Sequence, residues 1–204
     1  LSVAIVQSDQ RVIRVAYGRA VTLSGRLLAP SGAPVAGADV EIQAQPSLRG
    51  ARMAPLARVR TDAAGGFRYV LGPGPSRMVR LGYRARIGDA AFSHAVDVDV
   101  RVGARISLKL SGSQIRNGKT LRYSGRIAGQ TSRRPLVQIQ VRNDRRWVNV
   151  CVVRSRARGA FSCKYRFRRT YRPMTYTFRA LVKKQDGLPY ETAASPSRRV
   201  RVRP

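Results

Sequence analysis

The chain is poor in the side chains from which most active sites and metal centres are built. Its 204 residues include one histidine (His94), two cysteines (Cys151 and Cys163) and ten acidic residues. A structural zinc site needs four suitable ligands, and His94 lies far along the chain from both cysteines. No Gly-x-Ser-x-Gly nucleophile motif occurs either. We therefore expect no catalytic residue, no metal, no cofactor and no small-molecule substrate.

Long apolar runs are missing as well. No stretch approaches the roughly 20 apolar residues that a membrane-spanning helix requires, so no membrane span is expected. The chain begins at Leu1 without methionine and without a charged segment followed by an apolar one. This start predicts a processed chain or a fragment whose export signal has been removed, located outside the cell or at its surface.

Lysine and acidic residues are scarce beside arginine. The net charge is +30, with 35 arginines and 5 lysines. Residues 1–102 carry +7 of this charge and residues 103–204 carry +23. Such an excess fits a second half that binds polyanions. It also fits a GC-rich genome, which favours arginine codons, and the dispersal of the arginines along the chain favours this second interpretation.

Short alternating runs of apolar and polar residues, separated by glycine and proline, fill the chain. In Leu56–Leu71 two such runs flank the turn-forming residues Thr61–Gly66, and this arrangement predicts a β-hairpin. A similar segment, Cys151–Phe167, predicts a second hairpin. Phe161 there takes the place of Phe67.

The repeat extends beyond these segments. Tyr17–Arg19 corresponds to Asn117–Lys119, and Leu23–Leu27 corresponds to Tyr123–Ile127, both at an offset of 100 residues. Pro46–Pro55 is an insertion that the second copy lacks. Regularly spaced short strands without helical periodicity predict an all-β fold. We expect two tandem antiparallel β-sandwich domains, residues 1–102 and residues 103–204.

The first copy resembles a known family. Ser24–Leu27, Gly32–Ala38, Thr61–Asp62 and Gly66–Phe67 together resemble the carboxypeptidase regulatory-like (transthyretin-like) domain. The second copy keeps Ser124–Arg126 and Gly159–Phe161 but lacks the Pro-Val-x-Gly-Ala stretch. Tandem pairs ending in Arg-Val-Arg-Val resemble those of exported proteins from high-GC Gram-positive bacteria. The resemblance implies immunoglobulin-like, non-catalytic accessory modules that act outside the cell.

Cys151 and Cys163 fall opposite each other if the second segment is a hairpin with its turn at residues 156–158. Both would then point the same way, and a disulfide between them is geometrically possible. Two reduced thiols in the core are the alternative. We favour the disulfide because the chain otherwise has the features of an exported protein.

Outward positions of the second copy carry many cations. With Tyr165 and Phe167 pointing inward, alternation places their neighbours on a charged strand face. Guanidinium groups match phosphate, sulfate or carboxylate, so this face is a candidate site for DNA backbone, a phosphate polymer or an acidic polysaccharide. Charged strands that prevent edge-to-edge aggregation are the alternative. The candidate anion-binding residues are Arg122, Arg126, Arg154, Arg156, Lys164, Arg166, Arg168 and Arg179.

The first six residues, Leu1, Ser2, Val3, Ala4, Ile5 and Val6, are apolar or uncharged and are followed by a polar break. Such a segment is a candidate assembly strand that adds to a sheet edge of another copy. Pairing within its own domain is the alternative, and we favour it.

Two functions follow from these patterns. The favoured one is a non-enzymatic extracellular structural module, either a spacer or a building block of a surface assembly. Its partners would be other copies of the chain or other surface proteins. The alternative is a module that binds anionic polymers through residues 103–204.

Overall fold

A computed structural model describes residues 2–4 by their backbone, and residues 11–86, 88–129 and 133–204. The chain divides into two compact units, Leu1–Val102 and Gly103–Pro204, which we call the first and second domains. No α-helix occurs within the described ranges. The architecture is that of tandem immunoglobulin-like β-sandwiches, as the alternating pattern predicts.

The described residues of the first domain form eight strands in two sheets. One sheet has the order β1-β3-β6 and the other the order β2-β8-β7-β4-β5. Neighbouring strands are antiparallel except β2 and β8, which are parallel. The strands are β1 (Ser2–Ala4), β2 (Val12–Val15), β3 (Val21–Leu28), β4 (Asp39–Pro46), β5 (Ala54–Arg60), β6 (Gly66–Leu71), β7 (Arg77–Tyr83) and β8 (His94–Val102).

The second domain repeats this plan. Its smaller sheet has the order β14-β11-β9, and its larger sheet has the order β10-β17-β15-β12-β13, with β16 beside β15. Here β10 and β17 form the parallel pair. The strands are β9 (Ile106–Leu110), β10 (Gln114–Arg116), β11 (Thr120–Ile127), β12 (Leu136–Asn143), β13 (Arg146–Arg154), β14 (Ala160–Arg166), β15 (Met174–Val182), β16 (Ala193–Ala194) and β17 (Arg198–Arg203).

The two predicted hairpins are wrong in their pairing. β5 pairs with β4 and β6 pairs with β3, so the chain crosses from one sheet to the other between Arg60 and Gly66. Likewise β13 pairs with β12, and β14 pairs with β11. Alternation does not distinguish the two arrangements, because it places apolar side chains toward the common core in a hairpin and in a crossing alike.

Local hydrogen bonds stabilise the first crossing, the segment between Arg60 and Gly66 that leads from one sheet to the other. The buried Thr61 hydroxyl donates to the Val35 carbonyl over 2.7 Å and accepts from the Ala38 amide over 2.9 Å. The Asp62 carboxylate accepts from the Gly66 amide over 2.8 Å. These contacts fix the crossing to the preceding loop, and they explain why a Thr-Asp pair starts the turn.

Glycine is required at the same place in both crossings. Gly65 has φ of 72° and Gly159 has φ of 74°, in the region that side chains disfavour. A Cβ at Gly65 would lie 2.5 Å from the Leu27 carbonyl oxygen, and one at Gly159 would lie 2.3 Å from that of Ile127. The crossing therefore packs directly on the backbone of the central strand of the small sheet.

Each domain has its own apolar core between its two sheets. In the first, Phe67 lies opposite Gly25 and is 5% exposed. In the second, Phe161 lies opposite Gly125 and is 3% exposed. Gly125 leaves room for the Phe161 ring, since a Cβ at Gly125 would lie 2.4 Å from that ring.

Part of the proposed assembly strand lies beside its own domain. Ser2, Val3 and Ala4 pair antiparallel with Leu28, Leu27 and Arg26 of β3. This pairing is the favoured alternative. Leu1, Ile5 and Val6 lie outside the described residues, and exchange of the segment between copies stays a prediction.

Candidate functional site

The small sheet of the second domain presents a row of cations to solvent. Strand register places the outward side chains of β9, β11 and β14 on one surface. Four of the eight predicted anion-binding residues lie there, and a fifth cation, which sequence reasoning did not single out, joins them. We call this surface the cationic face; its charged residues, all exposed, are Lys109, Arg122, Arg126, Lys164 and Arg166.

Spacing on the cationic face follows from strand geometry. Arg122 is the direct cross-strand partner of Lys164, so their backbones are about 5 Å apart. Alternate residues along one strand, such as Lys164 and Arg166, lie about 7 Å apart. The uncharged outward positions among them are serine, threonine and alanine, and no acidic residue occurs on β9, β11 or β14. The cations therefore face solvent without carboxylates of their own surface to neutralise them.

The first domain repeats only part of this charge, because it keeps Arg26 at the position of Arg126. Register matches Arg122 to Thr22 and Lys164 to Val70. Codon preference for arginine would act on both domains, and it does not explain lysine. Two of the five lysines of the chain nevertheless lie on the cationic face. The charge at Arg122 and Lys164 is thus specific to the second domain, whereas the charge at Arg126 is shared by both domains.

The other four predicted anion-binding residues lie elsewhere. Arg154 and Arg179 belong to strands of the larger sheet, β13 and β15. Arg156 precedes the short 3₁₀ turn of the crossing, and Arg168 follows the end of β14. Alternation correctly predicts outward side chains within a strand but does not indicate which sheet receives the strand.

Arg179 is already engaged by its neighbours. Its guanidinium carbon lies 4.1 Å from the centroid of the Trp147 ring, and its Nε donates to Gln140 Oε1 over 2.9 Å. Burial lowers the pKa of Arg179 from its ordinary value. The residue therefore covers the half-buried tryptophan and contributes little to a free anion site.

A second feature lies at one end of the second sandwich, between its two sheets. A cavity of about 100 Å³ opens there, which we call the end cleft. Tyr165 was predicted to point into the core, but it is 41% exposed because it lies at the mouth of this cleft. Arg168 and Arg169 also border it. Its apolar and aromatic walls are formed by Val141, Val150, Tyr165, Phe167, Tyr176 and Phe178.

Cys151 and Cys163 form a disulfide, which confirms the favoured pairing. The geometry differs from the predicted cross-hairpin link, because Cys151 lies on β13 of the larger sheet and Cys163 on β14 of the smaller one. The bond therefore joins the edges of the two sheets. It lies near the end cleft, since Val150 and Tyr165 of the same two strands line that cavity.

We expect reduction of this bond to destabilise the second domain alone. The cysteines are 12 residues apart in sequence, and closing such a loop stabilises the folded state by about 3 kcal/mol in the chain-entropy model. Thermal unfolding with and without reductant measures the loss, and the first domain, which has no cysteine, is the internal control. Alkylation of the denatured, unreduced chain should find no free thiol; two alkylated cysteines would contradict the prediction.

Acidic residues on the larger sheet of the first domain pair with arginines. Arg80 donates two hydrogen bonds to Asp97, both of 2.8 Å, and Arg101 donates to Asp99 over 2.7 Å. The hydrogen bonds from Arg80 lower the pKa of Asp97. Stability from this pair is present above the ordinary carboxyl pKa and is lost as the pH falls through the lowered one. These carboxylates are ion-pair partners on a sheet surface.

Other kinds of site find no support within the described residues. No three side chains of histidine, cysteine, aspartate or glutamate come together there in a way that would hold a metal ion. None of the helical segments in those ranges has the length and apolar character needed to cross a membrane.

Comparison with known proteins yields structural likeness only. No family model matches the chain, and no curated protein matches it. A structure of the adhesin InvE of Yersinia pseudotuberculosis is similar over 98% of this chain and 58% of its own length, with 10% identity and a TM-score of 0.43. A tetra-tandem repeat from the extending region of a large adhesion protein shows 14% identity and a TM-score of 0.44 over 97% of this chain and 48% of its own length.

The first four immunoglobulin domains of Dscam1 give a further match, with 9% identity and a TM-score of 0.41 over 98% of this chain and 45% of that one. The chain thus spans roughly half the length of each of these structures. The neighbours are immunoglobulin-like and adhesin sandwich domains.

Proposed function

We propose that the chain is a non-enzymatic extracellular structural module, a spacer or building block of a cell-surface assembly. The disulfide between the two sheets carries this proposal, because such bonds persist in oxidising compartments and are rare in the cytosol. The neighbouring folds agree with a module that contacts other copies of itself or other surface proteins. The assignment to carboxypeptidase regulatory-like domains belongs to the same proposal, and the Thr61–Asp62 crossing supports it.

Surface labelling of intact cells tests the location. We expect a membrane-impermeant amine reagent to label the chain in living cells of its source organism, because all five lysines are exposed. A cytoplasmic protein of the same cells serves as the control and should stay unlabelled. Labelling only after the cells are broken would place the chain inside and would contradict an extracellular role.

The cationic face favours a second candidate function, the binding of anionic polymers. Five exposed cations on three adjacent strands match the repeated charges of a phosphate polymer, an acidic polysaccharide or a DNA backbone. Contacts of this kind bind without reading sequence, and their strength falls as the salt concentration rises. Retention of the full chain on such polymers at physiological salt measures this activity.

A further inference from the structure

Apolar side chains around the end cleft remain uncovered. Val148 is 48% exposed, although its cross-strand partner Val141 lines the cleft. Met174 is 42% exposed, and its sulfur accepts a hydrogen bond from the Tyr176 hydroxyl. Tyr171, in the loop between β14 and β15, is 81% exposed. Apolar groups of this size gathered around a cavity and bordered by charge are typical of interaction sites.

The same end of the first domain is closed. Comparison of the strand pairing in the two domains shows that Leu71 occupies the position equivalent to Tyr165. Leu71 is only 1% exposed. The same comparison matches Tyr176 to the half-buried Arg77, whose guanidinium group donates to the Gly72 carbonyl at this end.

The insertion between β4 and β5 completes this closure, because the Ser47 amide donates to the Ser76 carbonyl over 2.8 Å. The second domain has only the short Asn143–Arg146 turn at this place. Its open end is therefore a difference between two copies of one fold and not a property of the fold itself.

Charge selects the kind of partner. Arg168, Arg169 and Arg172 are exposed, and their side chains have no hydrogen-bond or ion-pair partner within the described ranges. The acidic residue of the neighbouring turn, Asp144, is surrounded in sequence by Arg142, Arg145 and Arg146. A second copy of a chain with a net charge of +30 would be repelled here, whereas an acidic segment would be attracted.

The side chains that line the cleft favour a peptide over a sugar as its occupant. Val141, Val150, Phe167 and Phe178 offer no side-chain hydrogen-bond partner, and the hydroxyls of Thr170 and Tyr176 in the same lining already bond to each other over 3.3 Å. Most hydroxyls of a buried sugar would therefore stay unsatisfied. A leucine or aromatic side chain needs no such partner, and a cavity of about 100 Å³ suits one side chain of this kind.

We propose that the end cleft binds an acidic segment of another protein, which places one leucine or aromatic side chain in the cavity. Carboxylates beside that anchor pair with Arg168, Arg169 and Arg172. This function is separate from polymer binding, because Arg168 and Arg169 lie outside the cationic face.

Titration of the isotope-labelled full chain with short peptides, followed by NMR, tests this proposal. The probe is N-acetylated, C-amidated Glu-Glu-Leu-Glu-Glu, and the matched peptide has alanine in place of leucine. We expect the leucine peptide to shift the amide signals of residues 165–171 and Tyr176. The alanine peptide should bind at least about tenfold more weakly, since it lacks most of the apolar surface to be buried.

Two double variants separate the rim charges from general electrostatic attraction. R168S/R169S should lower the affinity for the leucine peptide by about tenfold or more, because each lost cation removes a charge-assisted contact. R199S/R201S removes the same charge from exposed positions of β17 and should change the affinity less than threefold. The comparison of the leucine and alanine peptides uses the unsubstituted chain, so it tests the proposal even if one variant fails to fold.

Three results would overturn the proposal. The first is equal binding of the leucine and alanine peptides, and the second is a set of shifts that lies away from the end cleft. The third is displacement of the leucine peptide by oligogalacturonate with shifts of the same residues, because the occupant would then be a saccharide.

Discussion

Serine in place of Arg122, Arg126, Lys164 and Arg166 is expected to weaken the binding of the full chain to single-stranded oligothymidylate by at least about tenfold at low salt. The dependence of the logarithm of affinity on the logarithm of salt concentration should flatten by up to about 3, since each phosphate contact on a single strand contributes about 0.7. Fluorescence titrations at several salt concentrations give both values.

A second quadruple variant provides the matched control. Arg145, Arg146, Arg154 and Arg201 are exposed residues of the same domain outside the cationic face, and their replacement by serine removes the same charge. The salt dependence of binding by this control variant should change by less than half as much as that of the cationic-face variant. If both variants lose affinity equally, net charge alone attracts the polymer and the cationic face is not a site.

Replacing Phe161 by alanine should destabilise the second domain by about 3–5 kcal/mol and leave the first unchanged. The ring is 3% exposed and packs on Gly125, and the loss of a buried phenylalanine leaves a cavity. A typical domain is stable by about 5–15 kcal/mol, so the variant domain will be partly unfolded at modest denaturant concentrations. The only tryptophan, Trp147, lies in this domain, and its fluorescence follows this unfolding.

Phe67→Ala is the reciprocal variant. It should destabilise the first domain by a similar amount, as seen by circular dichroism, without shifting the Trp147 transition. This pair of results would support the expected division into two domains, residues 1–102 and 103–204, that unfold independently. A shift of the tryptophan transition in Phe67→Ala would show instead that the two parts unfold as one unit.

Alternation of apolar and polar residues sufficed to predict the sandwich fold, because it fixes which side of a strand faces the core. It did not reveal the pairing of β5, β6, β13 and β14. Pairing depends on hydrogen bonds between residues distant in sequence, such as Thr61 with Val35. A sequence window that includes only the turn does not contain this information.

The candidate sites were also only partly predictable from local sequence patterns. Outward positions such as Arg122 and Lys164 follow from local periodicity, whereas their grouping into one face follows from the register of β11 with β14. Tyr165 shows the converse. Its position in the alternation is inward, yet the side chain is exposed because no loop within the described ranges covers this end of the sandwich.

The parallel strand pairs have a mechanical consequence. In each domain an early strand runs beside the closing strand in the same direction, β2 beside β8 and β10 beside β17. The start of one strand and the end of the other therefore lie at opposite ends of the pair. Tension along the polypeptide would load the hydrogen bonds between these strands in shear, so that several must break together rather than one after another. We therefore expect each domain to resist tension applied between its two ends.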